Sequence, residues 1–61
     1  MNRYVIKYMR KSENGEHIKE CRYTIETRFV CTVREIKETI CSIKCISPER
    51  ISIKGINVYT I

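Results

Sequence analysis

Two periods of apolar residues run along this chain. Over residues 32–45, Val33, Ile36, Ile40 and Ile43 fall at i, i+3, i+7 and i+10, one stripe of an amphipathic helix. Thr32 followed three residues later by Glu35 is the capping-box pattern, and Cys31 and Ile36 stand where a hydrophobic staple would. Pro48 pushes Ser47 out of helical geometry and closes the segment. The spacing predicts a helix over 32–45 with the stripe as its buried face. Cys41 and Cys45 fall beside that stripe, at the border of the core, while Cys21 and Cys31 count as core.

Elsewhere the period is two, as in strands. Residues 3–27 read as a β-hairpin turning at Asn14-Gly15, because both residues accept the positive φ that a two-residue turn demands. That turn puts Tyr4, Ile6 and Tyr8 on one face with Ile25, Tyr23 and Cys21. The other face carries Arg3, Val5, Lys7 and Met9 opposite Glu26, Thr24, Arg22 and Glu20. A slip of one residue would set Ile6 beside Thr24 and Tyr8 beside Arg22. The aromatic face is expected to pack on the helix stripe, with Phe29 and Val30 closing one end of the core. Ile46–Arg50 reads as a turn. Residues 51–61 alternate as a strand, with a change of parity at Gly55 that fits either a β-bulge or a hairpin at Lys54-Gly55.

These elements make an α+β fold in one domain, residues 1–61. The order is β-β-α-β(-β): the hairpin and the C-terminal strand region form one sheet with a single helix packed on it. The stretch Ile56–Ile61 is apolar on both faces and has no charged side chain. As a free edge it would invite aggregation, so it belongs either in the middle of the sheet or against another chain.

Chain length sharpens that choice. Folds below about 70–80 residues commonly add a disulfide, a metal or a partner chain. The four cysteines contain no C-x-x-C, and Cys41 and Cys45, four apart on one helix, suit a disulfide poorly. Met1 leads within a few residues into a strand bearing Arg3 and Lys7, not into a signal peptide, and no apolar run reaches the ~20 residues of a membrane span. The expected setting is the cytoplasm, with free thiols, no membrane, no metal and no cofactor. A partner chain is then the remaining source of stability, most simply in a homo-oligomer with residues 56–61 at or beside the interface. Eleven isoleucines without a leucine, alanine or tryptophan point to AT-rich codons, which suit an orphan reading frame of a phage or mobile element.

No catalytic set stands out. His17 is the only histidine and reads as an exposed residue beside the hairpin turn. A catalytic base needs a nucleophile within reach in a cleft, and one helix on a small sheet leaves little room for a cleft. The chain therefore reads as a non-enzyme. Its net charge of +5 is evenly spread, as on a solvated surface, and favours acidic partners or nucleic acid. On the outer hairpin face Val5, Met9 and Ile18 form an apolar strip within a polar rim, a candidate protein interface, while Val58, Tyr59 and Ile61 of the last strand are the candidates for the contact between copies of the chain. Arg3, Lys7, Lys11 and Arg22 on the same face are the candidate nucleic-acid contacts, since a two-stranded ribbon fits the major groove.

The segment Phe29-Val30-Cys31-Thr32-Val33-Arg34-Glu35 resembles the strand-to-helix junction of integrase arm-binding domains. The resemblance implies a small sheet against one helix, with DNA read by the sheet. This chain departs from it in having no third strand before the helix and a strong strand after it.

The leading expectation is a small non-enzymatic binding protein, an inhibitor or counter-defence factor of a phage or mobile element, acting by protein–protein contact on a host macromolecule. Nucleic-acid binding through the outer hairpin face is the second expectation. An oligomer that sequesters a small ligand between subunits is the third.

Overall fold

The computed structural model describes all residues from Met1 to Ile61. Its elements are β1 (Asn2–Lys11), β2 (Ile18–Thr27), α1 (Val33–Lys44), a single 3₁₀ turn at Pro48–Arg50, and β3 (Ile51–Thr60). β1 and β2 pair antiparallel with Tyr4 opposite Ile25, Ile6 opposite Tyr23 and Tyr8 opposite Cys21, the pairing expected from the sequence. The turn itself is wider than two residues. The Ser12 amide donates to the His17 carbonyl at 2.9 Å, and the Gly15 amide donates to the Ser12 carbonyl at 3.0 Å. Gly15 alone in the loop has positive φ, +75°. Asn14 acts instead through its side chain, whose oxygen accepts from the Glu16 amide at 3.0 Å. The loop is lengthened equally on both arms, so the register is the one a two-residue turn would impose.

β3 lies on the other side of β1, which makes the order β2-β1-β3 with antiparallel neighbours throughout. β2 and β3 therefore run the same way, and α1 carries the chain from one edge of the sheet to the other across β1. The parity change near Gly55 is a bulge in one strand, not a second hairpin. Gly55 faces Lys7 and Ile53 faces Tyr8, which leaves Lys54 as the extra residue. The bulge keeps Ile51, Ile53, Ile56 and Val58 on the face that also holds Tyr4, Ile6 and Tyr8.

The helix ends are local chemistry. At the N-terminus the Glu35 amide donates to the Thr32 hydroxyl at 3.2 Å and the Thr32 amide donates to the Glu35 carboxylate at 3.1 Å, which completes the capping box. The Thr32 amide first, and second the Thr32 hydroxyl, which donates to the same carboxylate at 3.0 Å, hold the Glu35 carboxyl below its ordinary pKa. At the C-terminus the Ile46 amide donates to the Cys41 carbonyl at 3.0 Å, the long bond of a Schellman turn, and buried Ile46 follows it. That turn forces Cys45 into the left-handed region at φ 54°, ψ 50°. Glycine is preferred there because it has no Cβ to clash. Cys45→Gly is expected to raise stability by about 0.5–1 kcal/mol, the relief of strain being partly offset by a more flexible unfolded chain. Chemical denaturation checks this; a loss of stability would show that the exposed thiol does more than occupy the turn.

The core is Tyr4, Ile6 and Tyr8 of the central strand, Ile36, Ile40 and Cys41 of the helix, and Ile46 and Ile51 after it. Cys21, Tyr23, Ile25, Cys31, Ile53 and Ile56 pack around it half-buried. Two expectations are corrected here. The buried arc of α1 runs from Ile36 through Ile40 to Cys41, so Cys41 is core and not border. Val33 and Ile43, at the two ends of the stripe, stay more than half exposed. The cause is geometric: the chain leaves α1 through Ile46 and the 3₁₀ turn to reach β3, which draws the Cys41 side of the helix onto the sheet. Phe29 and Val30 do not close the core either, being 77% and 84% exposed. The Tyr4 hydroxyl closes that end instead. It donates to the Phe29 carbonyl at 3.2 Å and accepts from the Cys31 amide at 3.1 Å, so the connection is held by its backbone while its apolar side chains turn outward.

Candidate protein interface

One helix cannot cover this sheet. Twelve helical residues span roughly 18 Å, whereas ten strand residues span roughly 33 Å. The helix lies on the Tyr4 face alone, and the opposite face has no layer over it. Strand alternation and the pairing assign that outer face: Arg3, Val5, Lys7, Met9 and Lys11 of β1, Ile18, Glu20, Arg22, Thr24 and Glu26 of β2, and Ser52, Asn57 and Tyr59 of β3.

The candidate interface residues divide between surfaces. Val5, Met9, Ile18 and Tyr59 share the outer face, Val5 and Met9 half-buried by their neighbours, Ile18 and Tyr59 exposed. They form two clusters, not one strip. Val5 lies diagonally beside Tyr59, which faces Arg3. Met9 and Ile18 line a shared open depression with Lys11, Ser52 and Lys54, of about 420 Å³. Between the clusters, four strand residues or roughly 13 Å apart, runs the Lys7–Glu20 ion pair at 3.0 Å. Val58 faces the helix side, at a corner that α1 leaves open on its way across the sheet, and remains exposed. Ile61 continues the ladder one step past β3: its amide donates to the Met1 carbonyl at 2.9 Å and its carbonyl accepts from the Met1 amino group at 3.3 Å.

The nucleic-acid candidates are also on the outer face, and half of them are engaged. Arg3 pairs with Glu26 at 2.9 Å and Lys7 with Glu20, all four about half exposed. Lys11 and Arg22 form no ion pair. Exposed pairs of this kind contribute at most about 1 kcal/mol; their effect is to neutralise the face locally. His17 is exposed in the hairpin loop, beside Arg10, Glu13, Lys19 and Arg50. No three His, Cys, Asp or Glu side chains gather as a metal would require. The four cysteines are separate thiols. Burial first, and then the Cys21 thiol opposite, raise the Tyr8 pKa. No helix is long and apolar enough to cross a membrane.

At the end of the molecule where β2 and β3 finish, exposed apolar residues gather, of which only Val58 and Ile61 were expected from the sequence to lie at an interface. Met1, Phe29, Val30, Val33, Val58 and Ile61 are each more than half exposed in that region. Its signal in the sequence was the run Phe29-Val30, apolar but outside either period. No protein family, curated protein or solved structure matches this chain.

Proposed function

We propose that this chain is a small non-enzymatic binding protein that works as a homo-oligomer and acts by protein–protein contact on a host macromolecule, as an inhibitor or counter-defence factor of a phage or mobile element. The observation that carries the reading is the bare outer face of the sheet, where Val5, Met9, Ile18 and Tyr59 lie among paired charges. A polar rim around adaptable apolar residues suits a protein surface. The phage or mobile-element source rests on composition, isoleucine-rich and free of alanine and leucine.

Nucleic acid on the same face is the second reading, supported by Lys11 and Arg22, which no carboxylate engages. One experiment separates the two. The protein is immobilised and exposed to lysate of the cell that carries its gene, with and without nuclease, beside a Met9→Lys/Ile18→Lys variant whose fold is checked by circular dichroism. Retention of a discrete protein that survives nuclease and is lost with the variant is the expected result. Retention released by nuclease would transfer the face to nucleic acid, and retention indifferent to the variant would remove the face from the function.

A further inference from the structure

We propose that two copies of this chain pair β3 to β3 about a two-fold axis at Val58, closing a six-stranded sheet. This specifies the homo-oligomer of the proposed function, but it stands on the edge of β3 and not on the outer face.

The two edges of the sheet differ in kind. β2 carries Lys19, Glu20, Arg22 and Glu26 along its length, the charges that keep an edge from pairing. β3 from Gly55 to Thr60, and Ile61 after it, has no charged side chain. That half of the strand pairs in unbroken register beyond the bulge at Lys54 and exposes Val58, Tyr59 and Ile61.

The hydrogen bonds of β3 decide which groups are free. Met1 and Ile61 exchange both their backbone bonds. In an antiparallel ladder bonded and non-bonded pairs alternate, so Ile61, Tyr59 and Asn57 turn their amides and carbonyls to β1, whereas Thr60, Val58 and Ile56 turn theirs outward. With the axis at Val58, Val58 meets the partner's Val58, and Ile56 meets the partner's Thr60. Each outward amide and carbonyl then faces another. On the outer face Tyr59 falls beside the partner's Asn57, and Ile61 falls opposite the partner's Gly55, where no side chain competes for space. Centring the pair on Ile56 instead would set Lys54 opposite the partner's Val58, an ammonium against an apolar side chain.

Closure also favours the two-fold pair. β3 joined to the partner's β2 would repeat without end, whereas β3 joined to β3 leaves only the charged β2 edges outside. The contact would add burial to a monomer in which only eight of 61 residues are buried.

Light scattering over a concentration series is expected to give twice the 7.3 kDa chain mass. Val58→Lys, at an exposed site, is expected to give a folded monomer. Val58→Cys, under mild oxidation, is expected to form a disulfide between the two copies of residue 58, mapped by peptide mass spectrometry apart from the native thiols; Asn57→Cys is not. A monomer at every concentration, an assembly larger than two, a folded Val58→Lys variant that remains a dimer, or cross-linking at residue 57 in place of 58 would each overturn the pairing. If Val58→Lys fails to fold, the cysteine pair decides alone. Capture of a nuclease-resistant partner by a monomeric wild type would leave the outer-face reading standing, and a dimer that captures nothing would leave the pairing standing.

Discussion

Ile40→Ala is expected to unfold most of the protein at room temperature. Ile40 has no exposed surface and lies between Ile36 and Cys41 against Tyr4, Ile6 and Tyr8. Removing three buried carbons forfeits their transfer energy and leaves a cavity that one helix on a three-stranded sheet has few neighbours to fill. The cost is about 2–5 kcal/mol, against a total that for small domains is of order 5 kcal/mol. Ile43→Ala makes the same chemical change one turn on, at a residue 54% exposed, and should cost less than about 1 kcal/mol. Ser42→Ala, exposed, should stay within about 0.5 kcal/mol. Chemical denaturation of the three ranks them; equal losses at Ile40 and Ile43 would mean that the helix buries the original apolar stripe and that Cys41 is turned away from the sheet.

The second large effect is expected at a hydroxyl. Tyr4→Phe keeps the ring and removes one oxygen, yet that oxygen both donates to Phe29 and accepts from Cys31. Its loss leaves the Cys31 amide without a partner, and the Phe29 carbonyl with only the Cys31 thiol at 3.9 Å, at the point where β2 hands the chain to α1. The expected cost is about 1–3 kcal/mol, with faster amide exchange at Cys31 than at the buried strand positions. Tyr23→Phe is the control, since the Tyr23 ring packs half-buried beneath Lys44, whose Nζ is 5.7 Å from the ring centre; it should move stability by no more than about 0.5 kcal/mol. If the two substitutions cost the same, the Tyr4 hydroxyl does not tie down the connection.

The contrast between these residues shows what could be read from the chain. The hairpin register was legible because the turn position and the apolar alternation demanded the same pairing, and a symmetric change in the turn could not disturb it. The helix ends were legible because Thr32, Glu35 and Pro48 act on their own neighbours. The buried arc of the helix was not, because it depends on where β3 lies. The strand order β2-β1-β3 is a long-range choice that no local signal carries. Phe29 and Val30 misled for a related reason: hydrophobicity marks a residue as suited to burial, and only the path of the chain decides whether anything covers it. Of the candidate site, Val5, Met9 and Ile18 were placed on their face by the hairpin register. Tyr59 could join them only once β3 was known to flank β1.

β3 is an edge strand and not the middle of the sheet, and the pairing proposed above gives that edge a second copy of the chain. Residue-by-residue amide hydrogen exchange over a dilution series tests that proposed contact most directly. Asn57, Tyr59 and Ile61, bonded to β1, should be protected at every concentration. Ile56, Val58 and Thr60 should exchange quickly in dilute protein and become protected as concentration rises. Rapid exchange of those three amides at every concentration, beside a protected Asn57 and Tyr59, would contradict it and leave β3 as a bare edge.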